Sequence, residues 1–103
     1  MEMHKYILQI LRTQPIVVFS WGFHNPVALP NDNGLKFQVE GFKYQGSVEV
    51  IYIEGKDLFD VVLTDIGEKI EDVYSDCLVS VIDNLVEKTS NYKQSVEEEY
   101  ALF

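Results

Sequence analysis

Hydrophobic and polar positions fall into two rhythms along the chain, and Ile70–Lys88 carries the clearest one. Its apolar residues are Ile70, Val73, Tyr74, Cys77, Leu78, Val81, Ile82, Leu85 and Val86. Steps of three and four put such side chains on one face of an α-helix. Asp72, Asp76, Ser80, Asp83 and Glu87 take the other face, with Val79 lying between Asp76 and Asp83. A helix this amphipathic needs an apolar surface to lie on. Its start has two readings. Asp65-Ile66-Gly67-Glu68 either leads straight into the helix or closes a hairpin before a short strand over residues 69–72. The second is preferred, because Ser75 then stands at an N-cap position with Asp76 in the first turn. The helix then runs from about Tyr74 to Lys88.

The preceding residues supply the surface. Leu35–Tyr44 alternates Leu35, Phe37 and Val39 with Lys36, Gln38 and Glu40, which predicts a strand, and Gly41 marks a phase change that reads as a bulge. Gln45-Gly46 fits a hairpin turn, and Ser47–Glu54 and Leu58–Thr64 predict two further strands. Phe59, Val61 and Leu63 share one face. Such short turns require antiparallel pairing, so these strands form a meander.

Glu2–Thr13 predicts a first helix from the stripe Met3, Tyr6, Ile7, Ile10 and Leu11, stopped by Pro15. Ile16–Phe23 is nearly continuous in apolar character and reads as a strand, either buried on both faces or lying inside the sheet. His24–Gly34, broken by Pro26 and Pro30, reads as an irregular loop long enough for binding. Thr89–Gln94 is a polar linker, and Ser95–Phe103 reads as a short helix or tail. The expected fold is therefore α+β. An N-terminal helix, an antiparallel meander of four to five strands and a C-terminal amphipathic helix on one sheet face form a single domain over residues 1–103.

Charge narrows the function. The formal net charge is −9. Residues 1–51 are balanced, with Glu2, Asp32, Glu40 and Glu49 against Lys5, Arg12, Lys36 and Lys43, so the second half carries the whole excess. An acidic surface repels phosphates and anionic lipid heads, which speaks against direct nucleic-acid or membrane binding. No stretch approaches a membrane span or a secretion signal, so a cytoplasmic protein is expected.

The chemistry is sparse. The one cysteine, Cys77, sits in the apolar stripe and reads as a core residue. Asp57, Asp60 and Asp65 flank one strand without a calcium-loop or phosphate-loop pattern and read as solvated surface. His24 and Asn25, after Trp21 and Phe23, stand where a strand meets the long loop, a favourable place for a ligand. No second group makes a triad or metal set with His24, so no catalytic residue, metal or cofactor is expected.

The run from Phe19 to Asn25, then Val39-Glu40-Gly41-Phe42, Asp57-Leu58-Phe59-Asp60-Val61 and Ile82-Asp83-Asn84-Leu85-Val86-Glu87, resembles a small group of bacterial proteins of unknown function. The resemblance implies a bacterial origin and transfers no functional residue.

The expected function is non-enzymatic contact with a partner protein or a second copy of the chain. The residues expected to make it are Asp76, Val79, Asp83, Glu87, Tyr100 and Phe103. The alternative is a small-ligand or enzyme site at Trp21, Phe23, His24 and Asn25. A third reading, from the acidic helix face, is an inhibitor that imitates a phosphate row before a nucleic-acid-binding protein.

Overall fold

Helix α1, Met3–Arg12, opens the chain. Its stripe buries Ile7 and Leu11 fully. Arg12 lies in its last turn, where a cation complements the helix dipole. The computed structural model describes residues 2–87, so the expected helix or tail at 95–103, with Tyr100 and Phe103, lies outside the described residues.

Residues 16–23 depart from expectation. Pro15–Ser20 is a short helix, α2, with Pro15 at its first position. Proline's fixed φ suits that place, where its missing N–H costs nothing. Val17, Val18 and Trp21 turn toward the core, while Ile16 and Phe19 point outward. That is helical spacing, but a run apolar on every side hides its period. Gly22 then takes φ +68°, a left-handed turn that glycine adopts without penalty, and sends the chain into the sheet.

The sheet has five strands in the order β1-β2-β3-β4-β5, each antiparallel to its neighbours. They are β1 His24–Ala28, β2 Gly34–Glu40, β3 Gln45–Ile53, β4 Leu58–Leu63 and β5 Glu68–Val73. The fold class is as expected. However, β1 lies inside the expected loop, and the expected first strand is helix. Strand β1 contains Pro26 and pairs only with β2, with an irregular register between His24 and Val27. An edge strand tolerates proline because half its amides face no partner. At the other edge, residues 69–72 are strand, settling the choice between strand and helix.

Register places one apolar set on one face. Leu35 opposes Val50, Phe37 opposes Val48, and Val48 and Val50 in turn oppose Leu63 and Val61. All six are buried with Phe59 and Val73 beneath the helices. Each fully buried side chain of this size contributes about 1.5–3 kcal/mol gross.

Ser75–Cys77 forms a 3₁₀ turn, and α3 follows at Leu78–Val86. Ser75 makes no capping bond, because the turn takes the place of a capped first turn. The tighter turn also shifts the phase of the helix. Cys77 is consequently exposed and Val79 is buried at 4% exposure, the reverse of both expectations.

Gly41 is no bulge. Strand β2 ends before it, and Gly41–Tyr44 forms the turn, with the Gly41 amide bonded to the Tyr44 carbonyl. The Lys43 and Tyr44 amides both donate to the Val86 carbonyl, at 2.7 and 3.1 Å. They satisfy an end carbonyl that α3 itself leaves unpaired. Among the described residues no helix is long and apolar enough to cross a membrane.

Candidate functional site

At the α1–α2 corner two large apolar side chains stand exposed one helical turn apart. Ile16 is 84% exposed and Phe19 79%. Between the two helices and the start of the sheet lies a cavity of about 160 Å³. Leu11 and Arg12 of α1, Pro15, Val18 and Phe19 of α2, and Phe23 line it. Phe23 is held there by its ring contact with Phe37, whose centroid is 4.8 Å away. Arg12 is the only charged group of the lining, and it makes no ion pair among the described residues.

The local sequence explains the corner. Thr13-Gln14-Pro15 ends α1 and starts α2, since proline cannot continue the first helix but can begin the second. The Thr13 hydroxyl and amide both donate to the Ile10 carbonyl, which closes the end of α1. Helix α2 is six residues long. Its inward residues are taken by the core, so its remaining apolar residues have nowhere to go but solvent.

The residues expected to bind a ligand are divided. Trp21 is fully buried, and its Nε1–H donates to Asp83 Oδ1 at 3.0 Å. Phe23 lines the cavity. His24 is exposed, and its Nδ1–H donates to the Gly22 carbonyl at 2.6 Å. Asn25 is exposed with φ +53°. Thus Phe23 alone of the four reaches the cavity lining.

The residues expected on an acidic contact face are divided too. Asp76 is exposed. Asp83 accepts the Trp21 indole bond, and Glu87 Oε1 accepts from the Phe42 amide at 3.2 Å. Val79 is buried, although with Asp76 and Ser75 it lines a second concavity of about 360 Å³ against Ile10, Thr13 and Gln14. Asp83 and Glu87 therefore hold the fold as well as carry charge.

Asp60, expected on the solvated surface, is 6% exposed. Its Oδ2 pairs with Lys69 Nζ at 3.4 Å, and its Oδ1 accepts from the Asp72 amide at 3.4 Å. Asp60 lies at the irregularity in the β4–β5 register between Phe59 and Val61. Elsewhere on the surface, His4 bonds to Asp32 and holds that carboxyl below its ordinary 3.8. Among the described residues no three His, Cys, Asp or Glu side chains cluster so as to hold a metal ion.

Sequence reasoning missed Ile16 and Phe19, having placed them within a buried strand. The available signal was the Val17, Val18 and Trp21 spacing directly after a proline.

No family model, curated protein or solved structure matches the chain.

Proposed function

We propose that the protein works by contact with another protein through the α1–α2 corner and does no chemistry of its own. The single observation that carries this reading is the pair Ile16 and Phe19, standing 84% and 79% exposed one helical turn apart beside an apolar cavity. Single exposed apolar residues are ordinary, whereas two large ones beside an apolar cavity make a patch that favours cover. The sheet edges favour this reading by default. Strand β1 is blunted by Pro26 and a register shift, and β5 by Glu68, Lys69, Glu71 and Asp72. Proline, charge and irregularity are how edge strands avoid pairing with other chains.

A small-ligand site is the second reading, favoured by the cavity and by Phe23 in its wall. The inhibitor reading has less support, because two of its three helix carboxylates are engaged in internal bonds.

The test compares the full chain with Ile16→Ser/Phe19→Ser. Both positions are exposed, so the variant is expected to fold with an unchanged amide spectrum. Cross-linked partners from the native host, and self-association by sedimentation equilibrium, are measured for both. Contacts made by the parent and lost in the variant support the reading. Identical partners and identical mass for the two proteins overturn it.

A further inference from the structure

We infer that the α1–α2 cavity is an anchor pocket for one aromatic side chain of a partner protein, and that the same partner segment places a carboxylate on Arg12. This rests on the contact reading and specifies the partner's chemistry.

The size of the cavity suits one aromatic ring. A cavity of about 150 Å³ lined by aliphatic and aromatic side chains holds one benzene ring. The corner cavity is about 160 Å³, walled by Leu11, Pro15, Val18, Phe19 and Phe23. That volume matches one ring. Protein interfaces concentrate their energy in such single anchors, most often aromatic, surrounded by apolar contacts that exclude water. Phe19 lines the cavity and is exposed, and the exposed Ile16 lies one helical turn away, so the two can supply that surround.

The charge of the wall suits a carboxylate. Nothing polar in the wall other than Arg12 can orient a ligand, and Arg12 has no ion pair among the described residues. Guanidinium is suited to a carboxylate because its planar fork matches both oxygens. The rest of the molecule sets a limit on the partner. With a net charge of −9, the chain repels a broadly acidic protein at long range. The partner therefore carries a local carboxylate beside the ring and is neutral or basic elsewhere.

The test is an amide-resolved NMR titration of the full chain with capped seven-residue peptides of Gly and Ser carrying Glu-Phe at the centre. Expected shifts centre on Arg12, Val18, Phe19 and Phe23. A Gln-Phe peptide is expected to bind more weakly by up to about fivefold, the upper end for a solvent-exposed ion pair. A Glu-Ala peptide is expected to lose more than about tenfold, as for a truncated anchor. In Arg12→Gln the Glu-Phe and Gln-Phe peptides become equal, since the coupling needs both charges.

Several results overturn the inference. These are a Lys-Phe peptide binding as well as Glu-Phe, shifts centred elsewhere, or an undiminished Glu-against-Gln difference in Arg12→Gln. Phenylacetate binding as tightly as the peptide reassigns the cavity to a small molecule. Concentration-dependent shifts without peptide reassign it to a second copy. Nuclear Overhauser contacts from Phe19 or Phe23 to Tyr100, Leu102 or Phe103 in the free protein reassign it to the chain's own segment. If the peptides fail while Ile16→Ser/Phe19→Ser still abolishes partner contact, the anchor falls and the contact reading stands.

Discussion

The indole Nε1–H of Trp21 donates to Asp83 Oδ1 at 3.0 Å, joining the end of α2 to α3 across 62 residues of sequence. The ring is fully buried, so the bond satisfies a donor that has left water. Asp83→Ala leaves that donor unpaired and is expected to cost about 1–3 kcal/mol. Asp83→Asn keeps a carbonyl acceptor and is expected to cost less. Urea unfolding followed by fluorescence of Trp21, the only tryptophan, measures both. Equal stabilities for the parent and Asp83→Ala would remove the bond from the account.

Gly41 is expected to tolerate no side chain. A Cβ there runs into Val86 Cγ1 and the Val86 carbonyl, which the Lys43 and Tyr44 amides hold in place. Gly41→Ala is expected to cost about 1–3 kcal/mol by overpacking. Gly55→Ala, where a Cβ meets nothing within 4 Å, is expected to stay within about 0.5 kcal/mol of the parent. Thermal unfolding of the two variants separates them.

Cys77 is exposed at the end of the 3₁₀ turn and is expected to react with an aromatic disulfide reagent in the native state. Access is a main control on thiol reactivity. One thiol per chain should titrate at a rate within about tenfold of the urea-unfolded protein. A native thiol that reacts only after unfolding would place Cys77 in the core.

Acid is expected to weaken the tie between α1 and the loop after β1. The His4 side chain bonds to Asp32 and lowers its carboxyl below the ordinary 3.8, with the Met3 amide adding a second bond. A carboxyl lowered on folding stabilises the protein above its unfolded value, and that share is lost as pH falls through the folded value. The melting-temperature gap between the parent and Asp32→Asn should therefore be full at pH 6 and close below about 3.8. A gap constant from pH 6 to pH 2 would contradict this.

At the alkaline end, Tyr52 donates to Asp57 Oδ1 at 2.6 Å, and that bond raises the phenol above 10.0. A phenol raised on folding stabilises the native state below its ordinary value, and the share is lost as pH climbs through the raised value. Ultraviolet titration of Asp57→Asn is expected to bring one tyrosine midpoint back down. Unchanged midpoints in that variant would exclude Asp57 as the cause.

Much of the fold was legible locally. Leu35, Phe37 and Val39 alternate with polar neighbours, and Phe59, Val61 and Leu63 share a face, so the period of two shows through. Residues 69–72 were legible as strand because a glycine-containing hairpin precedes them. Of the candidate site only Phe23 was legible. Ile16–Phe23 is apolar at nearly every position, and a run without polar punctuation fits helix and strand alike.

The sequence by itself determined the layers: an amphipathic helix at each end, a meander between them, and charge concentrated in the second half. The helices and strands repeat at short range, so spacing alone reveals them, and the charge follows from counting residues. Only the tertiary structure decided which residues face out. Whether Ile16 and Phe19 meet solvent depends on what packs against Val17, Val18 and Trp21. Whether Val79 is buried and Cys77 exposed depends on one tight turn before α3. Asp83 becomes a structural acceptor because Trp21 arrives from the far end of the chain. Such pairings join positions tens of residues apart, and a local pattern carries no record of them.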